Sequence, residues 1–307
     1  MKLTISQLIF FTVIILALLG VINSPIALIL GFIFASTFQN PYIKESRKGI
    51  NYLLKIAVVG LGFGMELFET IKTSKDGFLL TLLSIVLTIV LGMFLIKVMK
   101  IDRKLGHLIS SGTAICGGSA IAAVSPVIKA DAKTISIALG VVFFLNSIAL
   151  FVFPHLGHFF EMTQHQFGLW SAIAIHDTSS VVGAALEYGD EALKTATTVK
   201  LARTLWIIPL SIFSMLLFKV KGEKIKIPYF ILIFIAVIIL NSFIHLPTFL
   251  TENIVLISKR LLVLTLFLVG TTISFKDLKS IGLKPILFAV LLWVTISIFS
   301  LVFILNS

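Results

Sequence analysis

Cysteine is almost absent from this chain: Cys116 is the single one among 307 residues. One thiol excludes an intramolecular disulfide, so no cross-linked scaffold holds the fold. Charge is scarce as well. Asp, Glu, Lys and Arg make up 13% of the residues, where a soluble domain carries about 25%. Acidic residues are the rarer sign, 14 against 25 basic. There is no Walker loop, no G-x-G-x-x-G after a strand, no H-E-x-x-H and no C-x-x-C. Those gaps argue against a pump that hydrolyses ATP by this chain alone, and no cofactor is implied.

What is present is apolar. Hydrophobic residues make 58% of the chain and the mean hydropathy is +1.10. The sequence therefore predicts an all-α, polytopic membrane protein forming one transmembrane transporter domain over residues 1–307. Apolar runs fall near Ile5–Ile22, Pro25–Phe38, Tyr52–Phe68, Phe78–Ile96, His107–Ile128 and Ile135–Phe153. They continue near Phe167–Leu186, Thr195–Phe218, Pro228–Ile244, Arg260–Phe275 and Pro285–Leu305, which predicts about eleven transmembrane helices. The first run follows Lys2 like a signal peptide, but no small-x-small cleavage site precedes Asn23, so it reads as an uncleaved span. The net charge of +11 does not point to nucleic acid, because the basic residues lie in short loops. With alternating loops, 15 Lys and Arg fall on the side of the N-terminus and 7 on the other. The bias predicts a multi-pass membrane protein with a cytoplasmic N-terminus and an external C-terminus.

The segment Gly112-Thr-Ala-Ile-Cys-Gly-Gly-Ser-Ala-Ile-Ala-Ala123 lies inside a span yet is built of small residues. Adjacent Gly117 and Gly118 each lower helix propensity by about 1 kcal/mol relative to Ala. Unwound backbone at membrane depth is tolerated where it lines a cavity, so a broken helix is expected around Cys116–Ser119. Lys200 and Arg203 share a helical face about 14 Å into their span, where ionisable groups mark function by default. His176, Asp177, Thr178, Ser179 and Ser180 reach a similar depth. Three polar groups at one level predict one central site.

Two internal similarities stand out. Gly62-x-x-Met65-x-Leu67-x-Glu69 matches Gly270-x-x-Ile273-x-Phe275-x-Asp277 at an offset of 208, the pattern an inverted repeat would leave. Ala114-Ile-Cys-x-x-Ser119 matches Ala174-Ile-His-x-x-Ser179 at an offset of 60. The two offsets do not fit one repeat scheme.

The Gly112–Ala123 segment resembles the signature of the sulfate exporter family of YeiH-like bacterial membrane proteins. Ile175-His176-Asp177 through Gly183-Ala184-Ala185 looks like that family's second polar segment, and Val199-Lys200-Leu201-Ala202-Arg203 its Lys-x-x-Arg element. The order is the same and the similarity covers nearly the whole chain. The family more often has Glu at the place of Asp177 and Gln where this chain has Ser179 or Ser180. The resemblance implies inverted repeats, with broken helices crossing near the midplane, and export of sulfate.

The expected function is alternating-access transport of a small anion, sulfate or a sulfonate, and not catalysis. Substrate would meet Lys200, Arg203, Cys116, Gly117, Gly118, Ser119, His176, Asp177, Ser179 and Ser180. Protons or sodium would couple through His176 or Asp177. Two other classes stay open: a cation/proton antiporter using Asp177, and an intramembrane enzyme using Cys116 and His176 as nucleophile and base. The partners implied are the substrate anion, the coupling ion and the bilayer. A homo-oligomer is compatible with the sequence.

Overall fold

The computed structural model describes residues 4–38, 40–220, 229–244, 246–272 and 282–306. Its described residues form only helices and their connections. In chain order these are α1 (Ile5–Leu19), α2 (Ser24–Phe38), α3 (Ile43–Leu61), α4 (Leu67–Asp76), α5 (Phe78–Met99), α6 (Arg103–Ala114), α7 (Gly118–Val127) and α8 (Ala132–Phe159). Then come α9 (Gln164–Ala174), α10 (Thr178–Tyr188), α11 (Asp190–Thr204), α12 (Ile207–Phe218), α13 (Tyr229–Ile244), α14 (Thr248–Thr272) and α15 (Leu283–Leu305). A single 3-10 turn, Gly62–Gly64, extends α3. Among the described residues, five helical stretches are long and apolar enough to cross a membrane, or six if α3 and α4 count as one bent span. The protein is thus a multi-pass membrane protein.

Local sequence sets the helix boundaries. The Asp102, Asp131 and Thr163 side chains accept from the backbone N–H of Leu105, Thr134 and Gln166, satisfying donors at the starts of α6, α8 and α9. Lys100, Lys129 and Lys219 follow the ends of α5, α7 and α12 with positive φ, so their charges lie at negative helix termini.

The helices pack as two groups. In the first, α14 runs against α1, α2 and α3, with α13 beside α3. Its tightest crossing is glycine on glycine: a Cβ on Gly31 would come within 2.2 Å of the Phe267 carbonyl oxygen, and one on Gly270 within 2.4 Å of that of Leu28. The second group contains α5 to α12 and α15. A seam separates them, crossed where α10 meets α2 and α14 and where α4 meets α11.

The eleven-span expectation miscounts two segments. The expected spans His107–Ile128 and Phe167–Leu186 fall on the helix pairs α6–α7 and α9–α10, and each pair folds back on itself. Lys104, at the start of α6, donates from Nζ to the Lys129 carbonyl just past the end of α7, 2.7 Å away. A straight path between those residues would exceed about 35 Å at 1.5 Å per residue. The chain therefore turns back at residues 115–117 and forms a hairpin. The second hairpin is α9–α10, turning at residues 175–177. Its feet are joined by Tyr188 Oη donating to the Met162 carbonyl at 2.6 Å, and by Gln164 Oε1 accepting the Glu191 N–H at 3.0 Å. The 28 residues of α8, about 42 Å, separate the feet of one hairpin from those of the other. The hairpins enter from opposite ends and meet tip to tip, so their helices do not cross. Lys129 and Lys133 move to the end that holds Lys104, and the basic tally becomes 17 against 5.

The offset-208 similarity has Gly62 at the end of α3 and Gly270 in α14, but Ile273, Phe275 and Asp277 lie outside the described residues.

Candidate functional site

The two hairpin tips are in contact. A Cβ on Gly117 would lie 3.3 Å from Asp177 Cα and from the His176 carbonyl oxygen. Gly117 has φ +58° and ψ −118°, a backbone that L side chains rarely adopt. Four helix ends converge there. The ends of α6 and α9 present carbonyls without intrahelical partners, and the starts of α7 and α10 present free N–H groups.

Lys200 and Arg203 belong to the carbonyl ends. Both project from α11 and both are completely buried. Lys200 Nζ donates to the Ala172 carbonyl at 3.1 Å and the Ile175 carbonyl at 2.7 Å. Arg203 Nε donates to the Ala114 carbonyl at 2.8 Å, joined there by Nη2, and Nη1 donates to the Ile173 carbonyl at 3.1 Å. The Arg203 guanidinium thus ties the first hairpin to the second, while Lys200 serves the second alone. Trp293 on α15 supplies Nε1 to the Ala174 carbonyl at 3.0 Å. With the Ile175 N–H on the Ser171 carbonyl, every carbonyl from Ser171 to Ile175 has a donor. Positive charge here also opposes the negative pole of two helix dipoles.

The N–H ends are treated unequally. Asp177 caps α10: its Oδ2 accepts the N–H of Ser179 at 3.0 Å and of Ser180 at 3.4 Å, and the Ser179 hydroxyl also donates to it. The Ser179 hydroxyl is therefore committed to its own helix, while Ser180 contributes its backbone N–H. Asp177 makes no ion pair with Lys200 or Arg203; among the described residues the ion pair found is Lys259–Asp190. At α7 the cap position is Gly117, which has no side chain, and the Cys116 thiol lies beside the Ala120 N–H and the Ser119 hydroxyl; among the described residues no carboxylate stands there. The offset of 60 pairs Ala114 with Ala174 and Gly118 with Thr178, so both helix breaks fall at matching positions. Gly117 is the counterpart of Asp177.

Neighbouring groups complete the tips. Asn146 on α8 accepts, at Oδ1, the N–H of His176 at 2.9 Å and of Asp177 at 3.2 Å. Its own Nδ2 is buried without a hydrogen-bond partner. So are both ring nitrogens of His176, a fully buried residue. Cys116 is buried beside Lys200, Ser119, Thr204 and the Ala120 backbone. It forms no hydrogen bond with the His176 ring, whose nitrogens are unpartnered, so a nucleophile–base pair is not assembled. Ser119 is exposed and Asp177 half-buried, while Cys116, His176, Ser179 and Ser180 are buried. Ser119 shares an exposed face of α7 with Ala122 and Pro126.

All ten candidate residues gather at this junction. Sequence reasoning missed Asn146 and Trp293. A single Asn within the apolar stretch Phe143–Phe151 is a readable signal for the first. Nothing comparable marks Trp293.

Re-entrant hairpins meeting inside a two-part helical assembly define a multi-pass membrane protein with a polar junction buried at its middle. Residues 3–289 match the family model described as conserved hypothetical protein 698. The chain is 53% identical over 304 residues to a UPF0324 membrane protein of Photobacterium profundum, covering 99% of this chain and 93% of the relative. Another from Bacteroides thetaiotaomicron is 50% identical over 286 residues, 92% of this chain and 86% of the relative. One from Geobacter sulfurreducens is 42% identical over 276 residues, 90% and 89% of the two chains. The chain belongs to the UPF0324 membrane protein family. No solved structure matches it.

Proposed function

We propose that the protein is a secondary transporter of a small anion, sulfate or a sulfonate, and that alternating access arises from movement of the hairpin-bearing group against the group around α14. One observation carries this reading. Of the four helix ends at the junction, two carbonyl ends are covered by Lys200, Arg203 and Trp293, and one N–H end by Asp177. The start of α7 has no such cap. A helix N-terminus favours an anion, and the chain itself places a carboxylate at the equivalent point of α10. The substrate's acid group takes the place in the first hairpin that Asp177 takes in the second.

The donors on hand fit an oxyanion. Gly118 and Ser119 offer backbone N–H groups at the first turn of α7, and Ser119 adds a hydroxyl. An ammonium has three N–H groups and Lys200 uses two; a guanidinium has five and Arg203 uses three. Counted as ions, Lys200 and Arg203 outnumber Asp177 by one charge. His176, buried with two unpartnered ring nitrogens, is the group that takes up a coupled proton. The basic asymmetry of 17 against 5 supports a cytoplasmic N-terminus and an external C-terminus. The resemblance to the sulfate exporter family points to the same substrate class.

The test is uptake of labelled sulfate and of methanesulfonate in proteoliposomes, beside thermal shift of the purified protein with each. An anion at 100 times its Kd adds about 2.7 kcal/mol of stability. Ser119→Val should weaken binding about tenfold. If neither anion shifts the melt or is carried, the reading is wrong; flux of a cation that depends on Asp177 would replace it with antiport.

A further inference from the structure

A cavity of about 520 Å³ opens on the seam between the two helix groups, away from the hairpin tips. One wall is α11, through Asp190, Leu193, Lys194 and Thr197; the other is α14, with Leu61, Gly64 and Met65 beneath. The α11 residues recur at helical spacing, so one face of that helix descends about 10 Å from Asp190 to Thr197. Lys200 begins the next turn. The floor is closed by Met65, packed with Val58 and Leu201.

Three observations make this cavity a site. Thr197 Oγ1 lines it, fully buried and without a hydrogen-bond partner. The Lys259 ammonium on α14 and the Asp190 carboxylate on α11 form an ion pair that bridges the seam at the cavity. The pair is lopsided: the Lys259 side chain is 25% exposed and that of Asp190 is 74% exposed. The cation faces inward and the carboxylate faces water. An exposed ion pair contributes little stability, so a competing anion displaces the carboxylate readily.

We propose that this cavity is a second, outer binding site for a small oxyanion, in which the ligand replaces Asp190 on Lys259 and takes a hydrogen bond from Thr197. Lys194, one turn from Asp190, adds a second cation, and Glu252 on α14 is the other carboxylate of the lining. Binding there removes one polar tie between the two helix groups and leaves the apolar contacts of α10 with α2 and α14 to hold the seam. Naming the ligand an anion rests on the transport reading; the cavity and its ion pair do not.

The experiment uses Val255→Cys, on the partly exposed α14 wall of the cavity, and follows its labelling by a membrane-impermeant thiol reagent, with sulfate as the probe. The unsubstituted protein, whose Cys116 is buried, is the blank. Val255→Cys should label from the outside, and sulfate should slow labelling several-fold. Lys259→Gln should abolish the protection. Asp190→Asn should lower the sulfate concentration for half-protection about threefold, since the internal competitor is gone. Leu256→Cys, on the same wall, repeats the measurement should Val255→Cys fail to fold. No labelling at either position, labelling indifferent to sulfate, or protection that survives Lys259→Gln overturns the proposal. Labelling requires no flux: loss of protection with normal uptake removes the outer site alone, and protection without uptake removes the transport reading alone.

Discussion

Arg203→Lys tests the view that one guanidinium joins the two hairpins. The native side chain makes two hydrogen bonds to the Ala114 carbonyl and one to that of Ile173. Lysine keeps the charge but loses the planar fork that reaches both hairpins at once. At least one carbonyl is then left buried and unpartnered. A hydrogen bond from a charged donor is worth about 1.5–3 kcal/mol, and an orphaned buried acceptor costs about 1–3 kcal/mol. Hydrogen bonds measured within membranes average nearer 0.6 kcal/mol, because the unfolded reference finds other partners. The expected loss is therefore about 1–4 kcal/mol. At about 2–4 °C per kcal/mol, melting falls by roughly 2–16 °C. Lys200→Met should leave the link between hairpins intact, because Lys200 bonds only to Ala172 and Ile175. The assay is thermal unfolding in detergent, followed by tryptophan fluorescence, together with cross-linking of paired cysteines placed at the two tips. Arg203→Lys should melt early and lower cross-linking yield, whereas Lys200→Met lowers only the melting temperature. An Arg203→Lys protein that melts and cross-links like the unsubstituted chain would refute the reasoning.

Further outcomes follow from other positions. Gly117→Ala forces a Cβ onto a positive-φ backbone, 3.2–3.3 Å from Val142, Asp177 and His176, and should cost about 1–3 kcal/mol with loss of flux; unchanged flux would show that the tips do not touch. Asn146→Leu strands two buried N–H groups and should cost about 2–4 kcal/mol, measured as a lower urea midpoint than that of Asn146→Asp, which keeps an acceptor. Cysteines at Lys104 and Lys129 should both react with an impermeant reagent from the same face; reaction from opposite faces would restore a continuous span. Trp293→Phe leaves the Ala174 carbonyl unpaired and should lower stability by about 1 kcal/mol, read as a small drop in melting temperature.

The helices themselves were easy to read. The run Pro25–Phe38 differs from α2 by one residue, and Phe78–Ile96 from α5 by three at one end. The interruption expected around Cys116–Ser119 falls at residues 115–117, with Gly118 and Ser119 already in α7; two adjacent glycines in an apolar run were the local signal. The fold-back was not legible. Arg103–Val127 is as long as a span, and hydropathy counts residues without sensing direction. Two signs were present all the same. The offset-60 similarity aligned the two turns, and Lys129 and Lys133 sat on the less basic side of an eleven-span count. Lys200 and Arg203 announced themselves as buried cations, but a carboxylate is the partner that a list of side chains suggests. Their actual partners are main-chain carbonyls, whose availability exists only once the helices are known to stop at Ala114 and Ala174. Asp177 as a cap belongs to the same kind of information.

The tip-to-tip meeting of the hairpins also has an electrical consequence. Were water to reach the junction from both ends, the insulating layer would thin and the membrane voltage would drop mostly across a few residues. Moving one elementary charge through that voltage involves about 2.3 kcal/mol per 100 mV. Lys200, Arg203 and Asp177, taken as ions, sum to one positive charge, and all three ride on the hairpin-bearing group. Empty, that group would feel the membrane potential as it shifts. Loaded with a singly charged anion, it becomes neutral and indifferent to voltage. For a sulfonate the voltage would then act on the empty return step alone, and for doubly charged sulfate on both steps, so a cell that is negative inside would favour outward movement of either.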